Sequence, residues 1–274
     1  MSLTAITTLR RNLTEWADRP ANRQFLHDDQ VAQLEQSLGV PARRTQVHVA
    51  AWMLGSWHLG QGMVRVLNGD GQGFDEARIG QSMRRTSLLL RARQQTAPLR
   101  RGRVERLPFS LAHAAWTTLL GLALRDPHAE ELYDLLRELP DGAFTENDHL
   151  ALFVRDLLAL RHGARQSPGA RLGPYEGVLL HWTGEPRLLA QQLAEVLDLH
   201  IDEAQRRGGT FDDPGLQLYP AEALAVLEVR DWLELPRAKV DHPLMHTNLV
   251  TMKPSRTWPS HDLATALEQE LRRR

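Results

Sequence analysis

The 274-residue sequence contains no cysteine. This absence excludes disulfide bonds, thiolate nucleophiles and cysteine-ligated zinc, and it is compatible with a reducing compartment. No apolar run approaches the roughly 20 residues that a membrane-spanning helix needs, and the first residues lack the apolar core of a signal peptide. We therefore expect a cytoplasmic protein that has no membrane partner.

Lysine is almost missing as well, because 31 of the 33 basic residues are arginine and only two are lysine. Residues 1–137 carry 18 arginines and 13 acids (+5), whereas residues 138–274 carry 15 basic residues and 21 acids (−6). Nine arginines lie between Arg78 and Arg106, a density that is compatible with phosphate binding. Since no aromatic platform or glycine cradle interrupts this run, we interpret it as a solvated helix face followed by a basic loop. We expect no nucleic-acid partner.

The sequence does contain apolar residues at intervals of three and four, the period of an α-helix, along most of its length. This pattern predicts an all-α fold of layered antiparallel helix pairs, solenoid-like or tetratricopeptide-like. Residues 1–274 should form a single domain, with a possible sub-boundary at the proline-flanked, charged stretch 97–108. The predicted helices cover 2–16, 28–38, 41–67, 75–90, 110–124, 126–139 (capped by Asp126), 145–163, 174–182, 185–209, 219–235 and 260–274.

The helix predicted at 41–67 carries two adjacent apolar stripes, so its apolar arc is too wide for a helix on the surface. We expect it to be central. Gly55, Gly60 and Gly62 each lower helix propensity by about 1 kcal/mol relative to alanine. Their presence indicates that another helix approaches closely at these positions.

Two histidines four residues apart, His242 and His246, have the spacing of a metal-binding helix face. Pro243 lies between them and disfavours the helical conformation for His242, so we expect His242 to be extended and the segment to fold back onto the core. His200 shares an apolar stripe and is interpreted as a core histidine with satisfied hydrogen bonds. Motifs of hydrolases, nucleotide-binding loops and zinc proteases are missing. We therefore expect no enzyme and no catalytic, cofactor or metal site; a metal site built from loops is the alternative.

A family resemblance covers about a quarter of the chain. The segments "EVLDLHIDEA" and "LYPAEALAVLEVRDWLELP", followed by Asp-His-Pro and a cluster ending in "NLV", resemble the C-terminal part of the immunity protein 49 family, most clearly over residues 185–250. The stretch "VAAWMLGSWHLGQGMVRVL" is similar to the tryptophan-containing central helix of that family. The resemblance implies a helical, non-enzymatic protein that binds and neutralises a cognate bacterial toxin. Because similar segments occur in tetratricopeptide-like proteins, a helical-repeat adaptor for another protein is the alternative.

A row of acidic residues is the candidate surface for binding such a toxin. Glu195, Asp198 and Asp202 follow one another at helical spacing, and further acids come just beyond them. Such a row could steer a basic partner towards the chain, although an ordinary solvated face has the same pattern. Trp258 lies in a loop between two prolines and is the one tryptophan that the core pattern does not explain. The candidates are Glu195, Asp198, Asp202, Glu203, Asp212, Asp213 and Trp258.

Overall fold

Helices account for nearly all of the regular structure. A computed structural model describes residues 3–94, 107, 109–163, 172–211 and 213–273; 72% of these residues are helical and none lies in a strand. The predicted all-α fold is confirmed. The α-helices are α1 (Leu3–Asp18), α2 (Pro20–Arg23), α3 (Asp29–Ser37), α4 (Arg44–Leu67), α5 (Gly73–Gln94), α6 (Leu111–Leu124), α7 (Glu131–Arg137), α8 (His149–Arg161), α9 (Glu176–Leu180), α10 (Pro186–Gln205), α11 (Ala221–Trp232), α12 (Asn248–Thr251) and α13 (Asp262–Arg272).

Among the described helices, α4 and α5 pack against each other most extensively, and glycines make their close approach possible. A methyl group on Gly62 would lie 2.5 Å from the backbone nitrogen of Ala77 and from the carbonyl oxygen of Gly73. A methyl group on Gly80 would lie 2.5 Å from the carbonyl oxygen of Gly55. The contacts run in opposite order along the two helices, so the pair is antiparallel. The predicted close approach is confirmed at Gly55 and Gly62.

The third glycine of α4 has a different neighbour. A side chain at Gly60 would overlap the indole ring of Trp16, which comes from α1. Helix α4 is therefore covered by α1 on one side and by α5 on another, and α3 also packs against it. This arrangement explains why the apolar arc of α4 is so wide.

The remaining helices surround this pair and connect distant parts of the chain. Helix α6 packs against α5, and α11 packs against α6. Two contacts join elements from opposite ends of the sequence: α13 packs against α5, and α1 packs against α10. Nearly all of the buried apolar side chains in the described part of the chain, from Leu9 to Leu271, belong to one cluster. Of the proposed sub-boundary at 97–108, residues 97–106 and 108 lie outside the described residues.

Two predicted helix starts are wrong. Helix α8 begins at His149 rather than at residue 145, and the start predicted at Asp126 also differs. Asp126 was expected to cap a helix beginning at Pro127, but α7 begins at Glu131 and residues 127–130 form turns. One carboxylate oxygen of Asp126 accepts a hydrogen bond from the backbone N–H of His128, and the other binds Arg85. This buried ion pair with a residue 41 positions away holds the segment in a turn before the helix can start.

Candidate functional site

The segment around His242 and His246 closes the fold. His242 has extended backbone angles (φ −146°, ψ 144°), and its Nδ1 accepts a hydrogen bond from the N–H of Leu244 at 3.2 Å. Leu244 and Leu249 are buried, so the predicted return of this segment to the core is confirmed. His246 points to solvent and lies 3.3 Å from Asp241. The two imidazoles therefore have separate neighbours, and no group of three or more potential metal ligands occurs within the described ranges.

His200 is buried on the inner side of α10 and is fully satisfied. Its Nδ1 lies 3.0 Å from a carboxylate oxygen of Glu222 on α11, and its Nε2 lies 3.2 Å from the carbonyl oxygens of Leu216 and Gln217. Burial alone would lower the pKa of His200, but the charge of Glu222 and these hydrogen bonds outweigh it and raise the pKa. The predicted core histidine is confirmed, and its partners favour an imidazolium that donates from both nitrogens.

The outer side of α10 carries three acidic residues of the candidate set. Glu195 and Asp202 are exposed and Asp198 is half-exposed. The inner side of the same helix buries the apolar residues that join it to α1 and α11. Leu188, one turn from the start of the helix, is 42% exposed. We refer to Glu195, Asp198 and Asp202 as the acidic face.

No arginine or lysine within the described ranges forms an ion pair with the acidic face. Glu195 accepts a hydrogen bond from Gln191 at 3.3 Å, and Asp198 lies 3.6 Å from Nε2 of the buried His242. Burial lowers the pKa of His242, and this favours its neutral form. Asp241, the residue before His242, adds a carboxylate whose side chain is 96% exposed. Among the described residues, the negative charge of the acidic face therefore has no arginine or lysine partner.

The remaining acidic candidates have other surroundings. Glu203 binds Arg206 at 2.5 Å and accepts a hydrogen bond from the N–H of Thr210, so it orders the turn that follows α10. Asp213 binds the buried Arg84 at 2.9 Å. These two carboxylates have clear roles within the fold. Asp212 lies outside the described residues.

The interpretation of the arginine run as a solvated face is wrong for three residues of α5. Arg78, Arg84 and Arg85 are 2%, 0% and 1% exposed, whereas Arg91 and Arg93 near the end of the helix are exposed. The reason is the close approach of α4, together with α6 and α13, which covers most of the circumference of α5. Arg100, Arg101, Arg103 and Arg106 lie outside the described residues.

The buried arginines of α5 use different partners. The guanidinium of Arg84 lies over the rings of both Trp52 and Trp116, 4.1 Å from each ring centre. Arg85 donates to three carboxylates, one on each nitrogen: Asp126 at 3.1 Å, Glu131 at 2.7 Å and Glu268 at 3.0 Å. The three acids come from the turn after α6, from α7 and from α13, so Arg85 ties these elements to α5.

The third buried arginine, Arg78, lines a cavity of about 770 Å³. Four more basic residues line the same cavity: Arg125, Arg237, Lys253 and Arg256. Glu228 is the single acid among its described lining residues and binds Arg125 at 3.0 Å. Trp258 also lines it. We call this the basic cavity. It shares no lining residue with the acidic face, so the structure does not bring the six described candidates together.

Sequence reasoning did not find the basic cavity. The arginine run and the loop position of Trp258 were both noticed, but nothing in the sequence connects them. The structure does so, because Arg78 donates to the carbonyl oxygens of Ser255 and Thr257, almost 180 residues away.

The fold and these surfaces define an all-α protein with an acidic helix face and a separate basic cavity. No protein-family model, no curated protein and no solved structure matches the chain. Among the helices in the described part of the chain, none combines the length and apolar character that crossing a membrane requires.

Proposed function

We propose that this chain is an immunity protein that binds a cognate bacterial toxin through the acidic face of α10. The observation that supports this most directly is the absence, among the described residues, of any arginine or lysine partner for Glu195, Asp198 and Asp202. Elsewhere the chain pairs many of its acids with arginine, as at Asp126 and Asp213. A cluster of unpaired charges of one sign on a rigid helix is suited to meet a surface of opposite charge.

The resemblance to the immunity protein 49 family also supports the acidic face as the toxin-binding surface. The part of the chain that resembles the family, residues 185–250, contains the whole acidic face and the His242 segment beside it. Leu188 adds an exposed apolar side chain near one end of the face. An apolar anchor surrounded by charges is a common composition of protein interfaces. Exposed carboxylates act chiefly on the rate of association, and salt weakens this effect because it screens their charge.

The test is a charge reversal on the acidic face, with binding to the product of the adjacent gene as the readout. In the triple variant Glu195→Lys, Asp198→Lys, Asp202→Lys, we expect the free energy of unfolding to change little, because surface substitutions usually cost within about 0.5 kcal/mol each. Binding should weaken at least about tenfold, and cells should lose protection in parallel. Binding by the unmodified chain should also weaken as salt rises.

The matched control reverses three exposed acids that have no polar partner among the described residues: Asp18, Glu35 and Glu138. This variant changes the net charge equally, so it should keep binding and protection. Loss of protection in the control alone would place the interface elsewhere. If the adjacent gene's product is not toxic and the chain binds a different protein, the toxin assignment is wrong and an adaptor role takes its place.

A further inference from the structure

We propose that the basic cavity binds a phosphate-bearing small molecule of the nucleotide class. The inference starts from Arg78, which is 2% exposed yet has no carboxylate partner among the described residues. Its Nε donates to the carbonyl oxygen of Leu124 at 3.1 Å, and its Nη1 donates to those of Ser255 and Thr257 at 2.8 and 3.2 Å. Nη2 has no hydrogen-bond partner in the described ranges. A buried cation in this state is stabilised by a bound anion.

The other buried cation of this helix shows the contrast. Arg85 is equally buried, and each of its three nitrogens binds a carboxylate of the chain. Arg78 has carbonyl oxygens in place of carboxylates, and the nearby carboxylates of Asp75 and Asp126 act on it without a direct hydrogen bond among the described residues. Burial accordingly lowers the pKa of Arg78. The carbonyl contacts hold the guanidinium in place and leave one edge for a ligand.

The rest of the cavity wall adds positive charge. Lys253 and Arg256 are exposed; the ammonium of Lys253 contacts only the carbonyl oxygen of Val250, at 3.5 Å, and Arg256 has no polar partner among the described residues. Arg237 lies 3.8 Å from Asp231, a weak pair. Five basic residues against Glu228 make this wall cationic. Several cations around one concave space can hold the several negative charges of a di- or triphosphate.

The cavity also offers an aromatic and apolar wall. The indole nitrogen of Trp258 donates to Ser82 at 3.2 Å, and the guanidinium of Arg78 lies 4.9 Å from the centre of its ring. Leu224, Leu227 and Met252 line the same space. A volume of about 770 Å³ lies within the usual range of ligand sites, about 300–1,000 Å³. An anion that also carries a flat ring would use both walls, and this favours a nucleotide over inorganic phosphate.

The test is isothermal titration of the full chain with ATP, ADP and pyrophosphate. We expect saturable binding of one ATP per chain, and at least about tenfold weaker binding by the variant Lys253→Ala, Arg256→Ala, since each cation contributes charge-assisted hydrogen bonds. Both side chains are exposed, so the variant should keep its circular dichroism spectrum. The control Arg187→Ala, Arg207→Ala removes two exposed arginines outside the cavity and should bind ATP normally.

A third variant distinguishes a nucleotide from an inorganic phosphate compound as the ligand. Trp258→Ala should weaken the binding of ATP several-fold and leave the binding of pyrophosphate unchanged, because only the nucleotide has a ring to place against the indole. Equal affinities for ATP and pyrophosphate that do not respond to Trp258→Ala would overturn the nucleotide assignment. The whole proposal fails if no probe binds saturably, or if the control variant loses as much affinity as the cavity variant.

Discussion

Helices α5 and α10 both carry like charges at helical spacing, but they use them in opposite ways. On α5 the arginines at 78, 84 and 85 are buried and hold other segments of the chain. On α10 the acidic face is exposed and has no cationic partner among the described residues. A row of charges in a sequence therefore does not reveal whether it faces solvent. The number of neighbours around the helix decides this.

Glycine explains much of the difference in neighbours. Gly73 and Gly80 of α5 meet Gly62 and Gly55 of α4, so the two backbones come close and little space remains for solvent. Helix α10 contains no glycine and packs through larger side chains on one side only. Its outer side stays open. Charged side chains thus join segments of the fold on α5 and form a candidate interface on α10.

The largest effect on stability should come from removing Arg85, the arginine of α5 that binds three carboxylates. Arg85→Ala leaves Asp126, whose side chain is fully buried, without its cationic partner. Breaking a buried ion pair in this way costs about 3–5 kcal/mol, so the free energy of unfolding measured by urea titration should fall by about that amount. Asp202→Ala on α10 should cost within about 0.5 kcal/mol. Similar losses in the two variants would contradict the contrast between the helices.

A smaller effect should come from the glycine contacts that bring α4 and α5 together. Gly62→Ala places a methyl group 2.5 Å from backbone atoms of Ala77 and Gly73, so the helices must separate. We expect a loss of about 1–3 kcal/mol in the free energy of unfolding from overpacking, even though alanine favours a helix by about 1 kcal/mol. In the control Gly71→Ala, the methyl group meets only the flexible end of Met252, at 3.3 Å. Stabilisation by Gly62→Ala would show that the contact is looser than described.

The smallest effect on stability should come from the inner side of α10, where His200 forms a buried ion pair with Glu222 of α11. The folded-state pKa of His200 is raised above 6.5, so the pair stabilises the fold fully below about pH 6.5 and this contribution is lost as the pH rises through the folded-state pKa. Glu222→Gln should therefore be less stable than the unmodified chain at about pH 5.5, and the difference should shrink towards about pH 9. Urea titrations across this range measure it. If the difference in the free energy of unfolding grew with pH, it would contradict a raised pKa of His200.

Much of the fold could be predicted from local pattern. The helix at 41–67, its central position and the close approach at Gly55 and Gly62 all follow from the spacing of apolar residues and glycines. The extended conformation of His242 follows from Pro243, and the burial of His200 follows from its apolar stripe. These features depend on neighbours within a few residues, which a sequence displays directly.

The candidate sites could be predicted only in part. The helical period placed Glu195, Asp198 and Asp202 together on one side of α10, and they lie there. The same reasoning grouped Asp213 with them, although Asp213 binds Arg84 from a position 129 residues away. It also could not join Arg78 to the loop of Trp258.

The sequence by itself therefore determined the positions of most helices, the central place of α4 and the acidic row of α10. The tertiary structure alone decided which charges are buried, since this depends on the segments that pack against each face. Arg85 joins several elements because acids from three other segments reach it. The basic cavity exists because α5, the end of α6, α11 and residues 249–258 enclose one space. Burial of a charge is favourable only when such partners arrive together, and their arrival is a property of the packed chain.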